Sequence, residues 1–329
     1  MTALTYIVAG GVLFFLRAPD DSQQKLPDTA SNMRGAAWKV CLPLVHLSVR
    51  RASSFSLTNQ SSASLRSCSS SKHSSRNQRG IATSMSGGIK NVVVIVAMEA
   101  EASPLIERLG LVEDPDKFPA AAPSKCFSGS YQGAAINVVT NGKCSRFGVD
   151  QVGTVAAGLS TWLSVEAIKP DLVINAGTAG GFKKHDTAIG DVFISTSVKN
   201  HDRRIPIPGF KEFGIGNHES HPTPEMLKEL GFKQGVVSTG SSFDHTKTDD
   251  KMMEENDARV KDMEAAAVAW ACEQHGTPLF CIKVVTDLVD GGGVGEEEFL
   301  QNLKAASDSL QQAMPRVLDF VLSRQLAEL

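Results

Sequence analysis

From residue 91 onward, continuous apolar runs alternate with amphipathic stretches along the chain. The first run, NVVVIVAM at 91–98, is followed by EAEASPLIERLG, whose apolar positions have helical spacing and which ends at a glycine suited to a helix C-cap. Runs that are apolar at every position are typical of strands buried on both faces. The pattern therefore predicts an α/β fold in which helices cover a largely parallel sheet.

The same reasoning places the remaining elements of the body. Further apolar runs predict strands at 135–140, 171–175, 191–196, 235–238 and 279–285. Helical spacing predicts helices at 149–168, 258–275 and 297–324. The chain shows no internal repeat, so we expect one domain over residues 85–329.

Residues 1–84 differ in composition from this body. Residues 1–90 carry 11 Lys and Arg against three Asp, whereas residues 91–329 carry 22 against 33 acidic side chains. The segment 50–80 contains no acid and many Ser and Arg, which is typical of an organelle transit peptide and cannot form a core. We therefore expect a disordered leader, which would direct the protein to plastids. If translation starts at Met85 instead, the protein would be cytoplasmic.

Composition also narrows the class of protein. The apolar run at 3–16 is shorter than the roughly 20 residues of a membrane-spanning helix, so we expect no membrane association. The acidic body gives no reason to expect nucleic-acid binding. The six cysteines include no C-x-x-C pair and no zinc-site spacing, which favours reduced thiols and no metal site.

Polar and glycine-containing motifs follow four of the predicted strands. They are AMEAEA at 97–102, NAGTAGG at 175–181, STGSSFD at 238–244 and TD at 286–287. Ligands of open α/β sheets bind at the carboxyl ends of the strands. The sequence therefore predicts a single site at one edge of the sheet.

Three carboxylates are the candidates for chemistry at this site. Glu101 lies at a strand-to-helix junction and Asp287 ends a buried run, while Glu264 enters an apolar helix where an unpaired charge would be costly. Glu99 has the same sequence setting as Glu101, and only one of the two is expected to face the cleft. Three carboxylates without a nucleophile elbow favour acid–base catalysis on an uncharged, hydroxyl-rich substrate. The glycines of 177–181 lack the spacing of dinucleotide and P-loop motifs, so we expect no cofactor.

Seven motifs in order resemble one known family. AMEAEA, INAGTAGG, IGDVFISTSV, HDRRIPIP, STGSSFD, KDMEAAAVA and VTDLVDG resemble the nucleoside phosphorylase/hydrolase superfamily, and within it the plant-type 5′-methylthioadenosine nucleosidases. The resemblance covers nearly all of 91–329. It implies a three-layer α/β/α sandwich with a twisted mixed sheet, and a hydrolase that releases adenine and 5-methylthioribose in methionine salvage.

The resemblance also implies roles for the carboxylates. Asp287 would be the general acid that protonates purine N7. Glu264 would bind the ribose 2′ and 3′ hydroxyls, with Met263 packed against the sugar. Glu101 would orient and deprotonate the attacking water.

Further positions match the family in the same way. Phe243 lies where the family places a side chain over the base, and aromatic stacking gives a reason for it. Thr178, Lys261, Lys283 and Asn256 would lie around the substrate. The family also implies a homodimer, in which the segment 205–210 of a second subunit would cover the 5′-thioether.

The chain departs from the family pattern in two places. Ser241 stands where relatives usually have Asp, and the segment 141–147 differs in length and chemistry. Two alternatives remain: a phosphorylase and an inactive storage protein of the same fold. AMEAEA carries no cation for phosphate, which argues against the first, and the three retained carboxylates argue against the second. Whether S-adenosylhomocysteine is also a substrate stays open.

Overall fold

The computed structural model describes residues 6–9, 12–15, 88–291 and 295–329. The chain divides into two units, Met1–Asn77 and Gln78–Leu329. In the first unit, Tyr6–Ala9 (β1) pairs with Val12–Phe15 (β2) as an antiparallel hairpin. The predicted transit segment and Met85 lie outside the described residues, so the expectations for the leader stay predictions.

The second unit alternates strands and helices. Its strands are β3 (Asn91–Val96), β4 (Val112–Glu113), β5 (Lys125–Tyr131), β6 (Ala134–Thr140), β7 (Leu172–Gly181), β8 (Val192–Asn200), β9 (His218–Glu219), β10 (Lys233–Thr239), β11 (Ala258–Asp262) and β12 (Leu279–Leu288). Its helices are α1 (Glu99–Leu109), α2 (Thr154–Ile168), α3 (Lys211–Ile215), α4 (Pro224–Leu230), α5 (Lys247–Glu255), α6 (Ala265–His275) and α7 (Gly295–Leu322). Within the described ranges, no helix combines the length and the apolar character needed to cross a bilayer.

One mixed sheet organises this unit. Its strand order is β11-β10-β8-β12-β7-β3-β6-β5-β4, and β9 pairs with β8. The pairs β3–β6, β3–β7, β7–β12, β8–β10 and β10–β11 are parallel, whereas β4–β5, β5–β6, β8–β12 and β7–β11 are antiparallel. The mixed sheet implied by the resemblance is confirmed. The expectation of a largely parallel sheet holds at the centre, for the pairs β6–β3, β3–β7 and β7–β12. It fails for β4–β5 and for β8, which pairs antiparallel with β12.

Helices cover both faces of the sheet. Along β3, Val92 and Val94 contribute to a core shared with Met314 of α7, while Val93 contributes to a second core shared with Val268 of α6. Successive side chains of a strand point to opposite faces, so an uninterrupted apolar run supplies both cores. The predicted α/β fold with three layers is confirmed.

Two predicted boundaries are wrong. The predicted helix 258–275 begins with a strand, β11, which pairs in parallel with β10, and α6 starts only at Ala265. The alanines of α6 extend the helical pattern toward the N-terminus. Residues 258–262 nevertheless form a strand, because they pair with β10. Helix α2 starts at Thr154 and not at residue 149, because the backbone φ of Gly153 is 97°, outside the helical region.

Candidate active site

A cavity of about 240 Å³ lies at the carboxyl ends of β3, β7 and β12. All four predicted motifs contribute to it. Its lining comprises Ala97, Met98, Glu101, Val152, Asn175–Gly180, Phe243, Lys261–Glu264, Lys283, Thr286, Asp287 and Phe299. The expectation that the motifs meet at one edge of the sheet is confirmed by this geometry.

Glu101 reaches the cavity because α1 begins immediately after β3. Its Oε1 accepts hydrogen bonds from the backbone N–H and the hydroxyl of Thr178, both at 2.7 Å. A Cβ built at Gly177 would lie 3.4 Å from both carboxylate oxygens, so the carboxylate rests on bare backbone. Burial raises the pKa of Glu101, and the bonds from Thr178 partly offset this effect. The group is poised to accept a proton.

Glu99 has a different environment. Its side chain is 57% exposed and pairs with Lys143 at 2.5 Å. The hydrogen bond and charge of Lys143 lower the pKa of Glu99. Of the two glutamates, the structure therefore brings only Glu101 into the cavity, as the sequence led us to expect of one of them.

A bulge in β12 turns Asp287 toward the cavity. The register against β7 shifts between Val285 and Asp287, so that Thr286 and Asp287 both line the cavity. The Thr286 hydroxyl donates to Asp287 Oδ1 at 2.8 Å. A Cβ at Gly180 would lie 3.0 Å from Asp287 Oδ2. Burial raises the pKa of Asp287, which favours the protonated acid.

Glu264 lies just before α6, where its carboxylate accepts the Gly153 N–H at 2.8 Å. Beneath it, Asp262 and Lys283 form a buried ion pair of 2.8 Å. Burial and the charge of Asp262 raise the pKa of Glu264 to about 7, while Lys283 opposes the shift. The sequence predicted that a buried Glu264 carboxyl would need a partner. The structure supplies the Gly153 backbone N–H and the nearby ammonium of Lys283.

Lys261 holds the segment that carries Phe243. Its ammonium donates to the carbonyl oxygens of Ser242 and Phe243 and lies 5.5 Å from the Phe243 ring centroid. Phe243 also packs edge-to-face on Phe299 of α7, with ring centroids 5.4 Å apart. Burial lowers the pKa of Lys261, and its charge in turn opposes the rise in the pKa of Asp287. Two rings therefore line the cavity near the proposed acid.

The structure does not bring every predicted residue to the cavity. Met263, Thr178 and Lys283 line it, but Asn256 is not among the described lining residues and donates to the Asn200 carbonyl and the Ser238 hydroxyl. The segment 205–210 is absent from the described lining. Its Ile207 and Phe210 are more than half exposed, at 57% and 51%.

Sequence reasoning missed several residues of the site, among them Phe299, Asp262 and Asn175. Phe299 lies eight residues beyond the VTDLVDG motif, on α7. Asp262 carried a signal, because it is an acid next to the Met263 and Glu264 pair. Asn175 also opens the NAGTAGG motif, yet only the structure shows its side chain in the cavity wall.

Neither departure from the family pattern is among the described residues of the cavity lining. Ser241 donates its backbone N–H to Asp202 at 2.6 Å, and its hydroxyl is 2.8 Å from that of Thr154. Because residue 241 is a serine, the carboxylate at this turn comes from Asp202, which accepts the Ser241 N–H. In the segment 141–147, Lys143 makes the ion pair with Glu99.

Fold and site together correspond to a known class of protein. The family model described as "Phosphorylase superfamily" matches residues 91–319. That range contains every carboxylate of the cavity.

Curated relatives narrow the class. The chain is 47% identical over 242 residues, 73% of its length and 95% of the relative, to the Arabidopsis thaliana protein named 5′-methylthioadenosine/S-adenosylhomocysteine nucleosidase. It is 45% identical over 242 residues to the A. thaliana 5′-methylthioadenosine nucleosidase, covering 73% of this chain and 91% of the relative. The structure of an A. thaliana 5′-methylthioadenosine nucleosidase in apo form matches with a TM-score of 0.73 at 44% identity, over 74% of this chain and all of that one. The chain belongs to the phosphorylase superfamily and, within it, to the 5′-methylthioadenosine nucleosidases.

Proposed function

We propose that this protein hydrolyses the N-glycosidic bond of 5′-methylthioadenosine, giving adenine and 5-methylthioribose in methionine salvage. One observation carries the proposal: two buried carboxyl groups with raised pKa, Glu101 and Asp287, line one cavity. Glu101 lies against Gly177 and Asp287 lies against Gly180. These two glycines are about 10 Å apart along β7, which leaves room for a sugar between the two carboxyls. The nucleosidase relatives support the same substrate class.

Asp287 supplies the proton to the leaving group. Its carboxyl is favoured in the protonated form by burial, and Thr286 fixes the orientation of the carboxyl by its hydrogen bond to Oδ1. Transfer of this proton to N7 draws electrons from the C1′–N9 bond, which breaks as positive charge develops on the sugar. Phe243 and Phe299 offer an aromatic surface for the departing adenine.

Glu101 takes a proton from the attacking water. Its Oε1 is held by two bonds from Thr178, and the second oxygen has only a long contact of 3.4 Å from the Met98 N–H. The water oxygen then bonds to C1′, and the proton stays on Glu101 until it is returned to solvent. A positioned acid or base of this kind contributes about 10²- to 10⁴-fold to rate.

Glu264 binds the sugar in this proposal. A carboxylate accepts two hydroxyl protons, which suits the ribose 2′ and 3′ positions. The charge of Lys283 opposes the rise in the pKa of Glu264, and this favours the ionised form when substrate hydroxyls add further donors. Met263 supplies an apolar contact beside it.

The cavity favours water over phosphate as the nucleophile. The described lining contains two cations, Lys261 and Lys283, and each is already bonded, to carbonyl oxygens and to Asp262 respectively. The lining also contains four acidic side chains, Glu101, Asp262, Glu264 and Asp287, and their ionised forms would repel a phosphate dianion. Retention of Glu101, Glu264 and Asp287 in one cavity likewise argues against a storage protein.

A second copy of the chain would complete the site. Large apolar side chains are exposed on and before α2 and on α6, and Val152 belongs both to this surface and to the cavity lining. They are Phe147, Val149, Val152, Val155, Leu159, Trp162 and Trp270. Such a patch is typical of a protein interface. We therefore expect a homodimer in which apolar side chains near 205–210 of one subunit reach the cavity of the other.

Release of adenine by the full chain and by two variants tests the proposal. We expect wild-type enzyme to release adenine from 5′-methylthioadenosine, and Asp287→Asn and Glu101→Gln each to lower kcat by about 10²-fold or more with the thermal transition retained. S-adenosylhomocysteine is assayed in parallel. Full activity in either variant would remove that residue from the mechanism.

A further inference from the structure

Asn175 lines the cavity and carries a buried side-chain acceptor. The residue lies in β7, is 1% exposed and belongs to the cavity lining. Its Nδ2 donates to the Ile95 carbonyl oxygen at 3.1 Å. Its Oδ1 has no hydrogen-bond partner among the residues that the structure describes. A buried polar atom left in this way costs free energy unless something in the cavity donates to it.

The sheet register places this acceptor near the proposed base. Asn175 and Gly177 are two residues apart on β7, so their Cβ positions point to the same face. The carboxylate of Glu101 rests against that position at Gly177. The Cα atoms of residues two apart on a strand are about 7 Å from each other, so the Asn175 side chain and the Glu101 carboxylate are neighbours on one face, where a water between them would bridge the two acceptors.

The chemistry of the attacking water calls for such a second acceptor. A water molecule that attacks C1′ must direct a lone pair at the carbon, and each of its two protons then needs an acceptor. Glu101 accepts the proton that is transferred. An amide oxygen is suited to the other proton, because it accepts a hydrogen bond without removing the proton.

We propose that Asn175 orients the attacking water by accepting its second, untransferred proton through Oδ1. This inference rests on the hydrolysis proposed above. In the step, the water oxygen bonds to C1′ as the C1′–N9 bond breaks, one water proton passes to Glu101, and Asp287 protonates the purine. The proton held by Asn175 stays on the new C1′ hydroxyl.

The chain offers a matched control for a merely structural asparagine. Asn137 in β6 is also buried, at 6% exposure, and its Nδ2 donates to Asn91 Oδ1 at 3.2 Å across to β3. Its Oδ1 accepts the Ser128 hydroxyl at 2.8 Å, and it is not among the described cavity residues. Asn137 therefore supports the sheet without touching the site.

The test compares Asn175→Ala and Asn137→Ala in the full chain, with kcat, KM, Tm and the partition between water and methanol as readouts. Methanol has one hydroxyl proton, so loss of the second acceptor penalises water and spares methanol. For Asn175→Ala we expect kcat to fall about 10- to 100-fold, KM to change less than about threefold, and the ratio of methyl glycoside to free sugar to rise. Asn137→Ala should lower Tm and leave the ratio unchanged.

Other outcomes would overturn the inference. An Asn175→Ala enzyme with wild-type kcat and partition and a lowered Tm would make Asn175 a structural brace, and a rise in KM alone would make it a sugar ligand. If the alanine variant does not fold, Asn175→Leu fills nearly the same volume without an acceptor, and wild-type kcat with an unchanged partition ratio in it would also contradict the proposal. An inactive wild-type enzyme would overturn the proposed hydrolysis itself, so the two failures are distinguishable.

Discussion

At the scale of one residue, Glu264 lowers the stability of the fold at the position proposed to bind the sugar. It lies 8% exposed beside Asp262, and its pKa is raised to about 7 by burial and by that neighbouring charge. A carboxyl whose pKa is higher in the folded than in the unfolded state stabilises the fold below its unfolded pKa, and this stabilisation is lost as the pH rises through its folded pKa. Ionised Glu264 therefore weakens the fold of the free enzyme.

Replacing this carboxyl should stabilise the protein at high pH. Glu264→Gln keeps an oxygen for the Gly153 N–H and removes the charge. At pH 8.5 we expect the variant to exceed wild type in free energy of unfolding by up to about 3 kcal/mol, and the difference to disappear toward pH 4.5. Thermal unfolding of both proteins across this range, without substrate, measures the effect.

Glu254→Gln on the exposed face of α5 is the control, and its difference from wild type should not depend on pH in this way. A Glu264→Gln protein that is less stable than wild type at pH 8.5 would mean that ionised Glu264 is a favourable partner of Lys283. The destabilising repulsion between ionised Asp262 and ionised Glu264 would then be absent.

At the scale of elements, β7 lies against both carboxyls proposed for catalysis. Glycines in β7 leave space for them: Gly177 under Glu101 and Gly180 under Asp287. The sequence showed these glycines as a motif without a known ligand-binding spacing. The structure indicates that they accommodate carboxyl groups of the protein.

Adding a methyl group at Gly180 should therefore move Asp287. In Gly180→Ala the new Cβ would lie 3.0 Å from Asp287 Oδ2 and 2.8 Å from a Val289 methyl. We expect kcat to fall about tenfold or more, because the acid is displaced from the leaving group. Gly158→Ala in α2, where a Cβ meets Ala267 at an ordinary 3.6 Å, should keep full activity. Equal activity of the two variants would contradict this role for Gly180.

The main strands, the long helices and the motif positions were predictable from the sequence, but the elements β4, β5, β9 and α3–α5 and the local geometry of the site were not. Continuous apolar runs identified β3, β6 and β7 because strands buried on both faces need apolar side chains at every position. The strand β11 was missed because its identity depends on pairing with β10, which no local pattern shows. The bulge at Thr286 and the free acceptor of Asn175 depend on the register between strands, so they required the structure.

At the scale of the whole molecule, the exposed apolar surface around α2 predicts assembly. Val155 is 87% exposed at the centre of this surface. Wild-type protein should sediment as a dimer at micromolar concentration. Val155→Glu should shift it toward monomer and lower kcat/KM, because the uncovered cavity lacks the partner's apolar side chains.

Val112→Glu is the matched control, since Val112 is 71% exposed on β4, the last strand in the order of the sheet. It should leave both sedimentation and activity unchanged. A wild-type protein that sediments as a monomer and is fully active would contradict the expectation that a second subunit completes the site.

The central claim is that water, activated by Glu101, replaces adenine at C1′. The most direct measurement is mass spectrometry of the sugar formed from 5′-methylthioadenosine in ¹⁸O-labelled water that also contains inorganic phosphate, read at the earliest turnovers before label exchanges at the anomeric carbon. We predict adenine and free 5-methylthioribose with one ¹⁸O at C1, at a rate independent of phosphate. A sugar 1-phosphate without label would show that phosphate is the nucleophile and would contradict this account.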